Sequence, residues 1–186
     1  MRKLKLQMQM SADGFVGGPD GQLDWMTGDM DPEQLKPLME LTNSMDTIVM
    51  GRKMADGFTT YWEDVADNQP HNPEHPYAQI FVDTPKIIFS KTVNAAKGRN
   101  VTVENGDLVS VINALKQKEG KDIIVYGGAG FVSSLIDHKL IDELFLFVNP
   151  VSLGAGLRIF KGRTGLKLNR SAAFKNGVVL NEYALL

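Results

Sequence analysis

The 186-residue chain contains no cysteine. That excludes disulfides, a thiolate nucleophile and any cysteine-based metal site, and it agrees with a reducing cytoplasm as the expected compartment. Histidine is scarce. His71 and His75 have near i,i+4 spacing in "HNPEHP", but the prolines around them oppose a helix that would aim both at one ion. No carboxylate pattern accompanies them, so no metal is expected. Neither sign of charge dominates: 20 Lys and Arg face 22 Asp and Glu, a formal net charge of −2. A chain so balanced has no field to attract nucleic acid or an anionic membrane, and any anion site must be local. No apolar stretch approaches the ~20 residues that span a bilayer. The opening "MRKLKLQMQMSADG" alternates polar and apolar residues, which is not the continuous apolar region of a signal peptide. Repeats and low-complexity tracts are missing too.

What is present suits one globular unit. With 43% hydrophobic residues, the length predicts a single domain over residues 1–186 with a substantial core. Leu4, Leu6, Met8 and Met10 alternate with polar residues and predict a strand with one buried face. "SADGFVGGPDGQLDW" is a long glycine-rich loop. Asp31-Pro32 reads as an N-cap and first helical residue, with Pro37 inside the helix that follows. "TIVMG", "KIIFS", "VTVEN", "DIIVYGG" and "IDELFLFVN" read as further strands, and "RKMADGFTTYW" opens a helix directly after the first of these. Residues 63–79, polar and proline-rich, predict a surface loop or lid. "DLVSVINALKQKEG" predicts a helix capped by Asp107 and stopped by Gly120. The last residues predict a hairpin turned at Asn176-Gly177. Strands alternating with helices, then strands alone, imply an α/β fold: a mainly parallel sheet of about eight strands with an antiparallel C-terminal edge.

Three strand-end turns carry candidate chemistry. In "IIVYGGAGFVSSLI" a buried strand meets Gly127, Gly128, Ala129 and Gly130 before Phe131 begins an amphipathic helix. Such a turn lets backbone N–H groups approach a phosphate, although strand-to-helix turns also adopt it for packing alone. The spacing is neither G-x-G-x-x-G nor a Walker loop. In "TIVMGRKM", Gly51 precedes Arg52 and Lys53. Two cations at a helix start oppose the local dipole, a cost that a bound anion relieves and that solvent can also absorb. In "KIIFSKT", Ser90, Lys91 and Thr92 offer hydroxyl and ammonium groups, as many loops do. Together the three are stronger, because open α/β sheets bind ligands beyond the carboxyl ends of their strands. Trp25, after the glycine-rich loop, is a candidate pocket wall or a structural tryptophan.

"SADGFVGG…LDW", "IVMGRKM", "KIIFSKT", "IIVYGGAGFVSSLI" and "IDELFLFVNPVSLGAGLRIF" stand in the order and spacing of the dihydrofolate reductase-like superfamily. Over nearly its whole length the chain resembles the branch containing the C-terminal reductase domain of bacterial riboflavin-biosynthesis enzymes. The resemblance implies an NADPH-dependent reductase acting on 5-amino-6-(5-phosphoribosylamino)uracil or a related small heterocycle, working as a homodimer. It places Gly51, Arg52 and Lys53 on the pyrophosphate and adenosine 2′-phosphate. Ser90 and Lys91 complete the 2′-phosphate pocket, and Gly127 to Phe131 meet the pyrophosphate and nicotinamide ribose. Backbone groups near Gln9 and Val16 hold the carboxamide. Asp13, in the S-x-D-G pattern, lies near nicotinamide and substrate, orienting hydroxyls or assisting proton delivery, in competition with a turn-forming role before Gly14. The loop over residues 11–25 is expected to close over the nicotinamide, with Phe15 and Val16 as apolar cover. Two departures bear on the substrate. Met54 replaces the family's usual threonine, and Leu35 and Phe147 align with the acid and threonine of folate reductases. Pteridine reduction is thereby disfavoured, with a non-catalytic NADP-binding relative as the other alternative.

Overall fold

The computed structural model describes residues 1–26 and 31–186. The strand β1, Leu4–Ser11, buries Leu4, Leu6, Met8 and Met10 on one face, as the alternation predicts. The helix α1, Pro32–Ser44, starts at Asp31, whose carboxylate accepts from the Glu33 N–H, with proline at the first helical position. Next come β2 (Met45–Gly51), α2 (Arg52–Asn68), α3 (His75–Asp83) and β3 (Lys86–Phe89). The chain continues through β4 (Val101–Glu104), α4 (Leu108–Gln117), β5 (Asp122–Gly127), α5 (Ala129–Asp137) and β6 (Glu143–Asn149). It ends with β7 (Leu166–Ala173) and β8 (Val179–Leu185).

All eight strands join one sheet in the order β4-β3-β2-β5-β1-β6-β8-β7. The six from β4 to β6 run parallel, and β8 and β7 complete an antiparallel edge. β5 shows why its apolar run is unbroken. Ile123 and Val125 pack with α4 and α5 residues such as Ile112, Leu115, Val132 and Leu135, while Ile124 packs on the other face with Ile48, Ile88 and Phe81. A parallel strand covered on both sides has no solvent face to make polar. On that second face Phe58, Trp62, Phe81 and Tyr126 form an aromatic cluster with centroid separations of 4.5 to 6.1 Å.

Three expectations are corrected. Residues 63–79 are mostly helical: α2 runs on to Asn68 and α3 begins at His75, so only a short turn separates them. Val65, Ala78, Phe81 and Val82 are buried, and Phe81 packs with Ile48 and Ile88 of the sheet, despite the polar residues between the helices. Gly120 (φ +139°) lies beyond the end of α4, which stops at Gln117 when the Lys118 N–H turns back to Leu115 O. The glycine instead makes room for Asp46, whose Oδ2 occupies the space a Cβ would need. Phe15 and Val16 are already buried and offer no uncovered apolar face to a ligand. The hairpin turn stands where expected, with Gly177 at φ +85° and its N–H on Phe174 O. Among the described residues no helix is long and apolar enough to cross a membrane.

Candidate active site

Because β4 to β6 are parallel, their C-terminal residues Glu104, Phe89, Gly51, Gly127, Ser11 and Asn149 share one sheet edge. The three phosphate-suited turns leave adjacent strands, β3, β2 and β5. The loops after β1 and β6 stand beside them. Sequence positions far apart thus meet along a line of five neighbouring strands.

The β2 and β5 turns interlock. A Cβ on Gly51 would lie 2.8 Å from the Cβ of Phe131, so β2 and α5 approach closely only because residue 51 is glycine. Phe131 also stacks on Phe89 at 5.1 Å, drawing in β3. At Gly127 (φ +144°), the sulfur of Met54 fills the position a side chain would take. The Gly127–Gly128 peptide is cis. Beyond it the backbone is open: a Cβ at Gly130 would meet nothing within 4 Å, and one at Gly128 only Met54 at 3.9 Å. Neither α2 nor α5 has a side-chain N-cap, so their first-turn N–H groups receive no capping oxygen. Arg52 and Lys53 are exposed at the α2 start and hydrogen-bond no described residue. Open glycine backbone, uncapped amides and two uncommitted cations suit a dinucleotide's phosphates.

The β3 turn is more committed. Ser90 is buried, and its Oγ accepts from the N–H groups of Thr92 and Val93 at 3.1 Å. Lys91 donates to the carbonyls of Asn105 (2.7 Å) and Gly106 (2.6 Å), tying this turn to the one after β4. An ammonium has three donors, so one remains for a ligand.

Asp13 is the most heavily bonded group at this edge. One oxygen accepts from Ser11 Oγ at 2.7 Å; the other accepts from Ser152 Oγ at 2.8 Å and the Gly154 N–H at 2.7 Å; the Leu153 N–H lies 3.1 Å from both. The Ser11 hydroxyl foremost holds its carboxyl well below the usual carboxylate range; burial opposes this, and the Gly154 and Leu153 amides and Ser152 together add to the lowering. A group so fixed in its ionised form accepts hydrogen bonds and has no proton to give. Asp13 therefore latches the loop after β1 onto the loop after β6. Backbone pairing continues the join: Ala12 N to Val151 O, Val16 N to Leu157 O and Leu157 N to Gly17 O, each 2.8 to 2.9 Å. Gly156 packs so tightly on the Gly17 carbonyl that no side chain fits. The expectation of a freely closing 11–25 loop is corrected for residues 11–18, which are stitched down.

The remaining candidates sit nearby. Gln9 Oε1 accepts from the buried Asn149 at 2.8 Å across β1 and β6. The Val16 N–H is occupied by Leu157, so it is unavailable to a carboxamide. Trp25 is half-buried and donates its indole N–H to Gln22 O at 2.9 Å. Sequence reasoning missed Ser152 and the Leu153 and Gly154 amides, whose only signal was "SLGAG", and Arg158, whose guanidinium lies 4.0 Å over the Phe15 ring. Two hollows lie elsewhere: one of about 230 Å³ beside Lys139 and Arg163, and one of about 250 Å³ between α1 and α3. Neither includes a candidate residue.

Comparison with known proteins agrees with this geometry. The model of the RibD C-terminal domain family matches residues 2–180. The chain belongs to that family. A curated relative, the uncharacterized protein YyaP of Bacillus subtilis, is 33% identical over 181 residues, spanning 96% of this chain and 92% of its own. Among solved structures, a Shewanella sp. PV-4 protein assigned provisionally to riboflavin biosynthesis superposes with TM-score 0.76 at 20% identity, covering 99% of both chains. The Thermotoga maritima diaminohydroxyphosphoribosylaminopyrimidine deaminase/5-amino-6-(5-phosphoribosylamino)uracil reductase gives 0.66 at 17%, over all of this chain and 57% of that one. Enterococcus faecalis dihydrofolate reductase complexed with NADP(H) gives 0.63 at 16%, covering 98% and 96%. At these identities the structures share the fold. Family membership supports an oxidoreductase of riboflavin-pathway type.

Proposed function

We propose that the protein is an NADPH-dependent reductase of a phosphoribosylated aminopyrimidine, with 5-amino-6-(5-phosphoribosylamino)uracil as the leading substrate. The observation that carries this reading is the contiguity of the turns. The β3, β2 and β5 ends offer cations and open glycine backbone side by side, next to the latched β1 and β6 loops. Arg52 and Lys53 would hold the 2′-phosphate, with the third Lys91 donor beside them, and the Gly128–Phe131 amides would hold the pyrophosphate. That order points the nicotinamide toward β1. When bound, NADPH supplies the hydride. The chain's own part is to fix the two rings against each other and limit water around them. Asp13 serves by holding both loops in place; with its carboxylate ionised, water is left to deliver the proton. The structural relatives that act on this pyrimidine and that bind NADP(H) support the reading.

Two positions weigh against pteridine reduction. Phe147 is fully buried against Val178 and Leu180. Leu35 lines the hollow between α1 and α3, and the helix's Glu33 and Glu40 are exposed, Glu33 paired with Lys36. Neither supplies a buried carboxylate for an aminopyrimidine edge. The test is an NADPH-oxidation assay with the phosphoribosylaminouracil and with dihydrofolate in parallel. Turnover of the first alone is expected. Turnover of dihydrofolate alone would overturn the substrate, and NADPH binding with no oxidation of either would favour the binding-only relative.

A further inference from the structure

Arg158 is an arginine with a seat and no acid. Arg2, Arg99 and Arg170 each pair with a carboxylate, whereas Arg158 makes no ion pair with any described residue. It is nevertheless held, with its guanidinium carbon 4.0 Å over the centre of the Phe15 ring. One terminal nitrogen lies 3.4 Å from the place a Cβ on Gly14 would occupy, an ordinary contact distance, so the guanidinium rests beside the Gly14 backbone. A guanidinium resting by its face on an aromatic ring keeps its N–H donors along the edge, free for a planar or tetrahedral oxyanion. Both partners stand on the stitched loop pair: Phe15 between Gly14 and Val16, Arg158 directly after Leu157, which bonds Val16 and Gly17. Asp13 does not neutralise it, since that carboxylate is spent on Ser11, Ser152, Leu153 and Gly154. The loops arise from β1 and β6, on the far side of β5 from Arg52 and Lys53. Three strand spacings separate β2 from β6, roughly 14 Å, so the loop that carries Arg158 springs from a different part of the edge than Arg52 and Lys53.

We propose that Arg158 is a specificity-determining residue that binds the phosphomonoester of the substrate, and this rests on the reductase reading above. It gives the molecule two separated cationic points: Arg52 and Lys53 for the cofactor, Arg158 for the reacting partner. Selection for a phosphorylated substrate follows, because the donors of Arg158 go unmatched when that group is absent.

The test uses Arg158→Met, which keeps apolar packing on Phe15 without charge, and Arg158→Lys, which keeps charge without the fork. Ribose 5-phosphate, ribose and glutarate are titrated against each protein by calorimetry, with NADPH as a separate titrant. Ribose 5-phosphate is expected to bind wild type, about ten- to a hundredfold more weakly to Arg158→Met, with partial recovery in Arg158→Lys. Equal binding of ribose 5-phosphate by wild type and Arg158→Met would overturn the proposal. So would equal binding of ribose and ribose 5-phosphate by wild type, a preference for glutarate, or no binding at all. Failure of NADPH to bind any of the proteins would instead count against the reductase reading, leaving the ribose 5-phosphate result to judge Arg158 separately.

Discussion

Two single residues carry opposite lessons about charge. Asp13 is ionised and fully accepted, so its carboxyl sits below its ordinary 3.8. A depressed carboxylate pKa stabilises the folded loops above the unfolded value and loses that contribution as pH falls through the folded one. Over about pH 5 to 8 the latch is therefore constant, and no catalytic pKa should arise from it. Asp13→Asn places an NH2 against donors and is expected to lower kcat/KM about tenfold by loosening the loops. A pH–rate profile of unchanged shape would confirm positioning; loss of one limb would show proton transfer. Lys86 is the reverse case. Its side chain is only 1% exposed and its ammonium donates to the carbonyls of Phe81 (2.7 Å), Val82 (3.1 Å) and Thr84 (2.8 Å) at the end of α3. Burial pulls its pKa down to about 8 from 10.5. The unfolded chain then binds more protons between those values, so this group makes stability rise with pH across that window. Lys86→Met is expected to cost roughly 1 to 3 kcal/mol near neutrality, leaving those carbonyls unmatched. Denaturant melts at several pH values should show the gap from wild type widening between pH 8 and 10.5; a constant gap would refute the assignment.

At the scale of elements, most of the fold was legible because each signal was local. The alternation of β1, the caps at Asp31 and Asp107 and the Asn176-Gly177 turn each act within a few residues. The α2–α3 pair was illegible for the opposite reason. Its prolines and polar residues read as loop, while the burial of Val65 and Ala78 and the packing of Phe81 on distant strands decide the outcome. The candidate site divides the same way. The glycine turns announced themselves, whereas the Asp13 latch needs Ser152 to Gly154, some 140 positions away, and only the β1–β6 pairing brings them together. Gly130 separates packing from binding within one element. It is a helical residue with open space around it, so Gly130→Ala is expected to raise stability by about 0.5 to 1 kcal/mol. The added methyl stands where a phosphate would meet the backbone, so NADPH affinity should fall in the same variant. Thermal melts and a cofactor titration on one sample check both; unchanged affinity would remove this turn from the cofactor site.

For the whole molecule, the sheet ends in an edge strand, β7, that pairs with β8 on one side only among the described residues. β7 is largely exposed along its length, and Leu168 is 53% exposed. Lys167 and Arg170 and the register shift between Leu168 and Arg170 protect such an edge from indiscriminate pairing. The homodimer proposed from the family resemblance would use these C-terminal strands. Light scattering after size exclusion is expected to give twice the 20.5 kDa chain mass at micromolar concentration, and a species of 20.5 kDa alone would refute it. Cofactor binding does not wait on that result, since every proposed cofactor contact comes from one chain. In the proposed function the adjacent β2, β3 and β5 turns form an NADPH site, with Arg52 and Lys53 reading the 2′-phosphate. The most direct measurement is a fluorescence titration of wild type and Arg52→Ala/Lys53→Ala with NADPH and NADH. Wild type is expected to prefer NADPH by about tenfold or more, with that preference lost in the double variant. Equal affinity of wild type for the two cofactors, or a preference that survives loss of both cations, would contradict it.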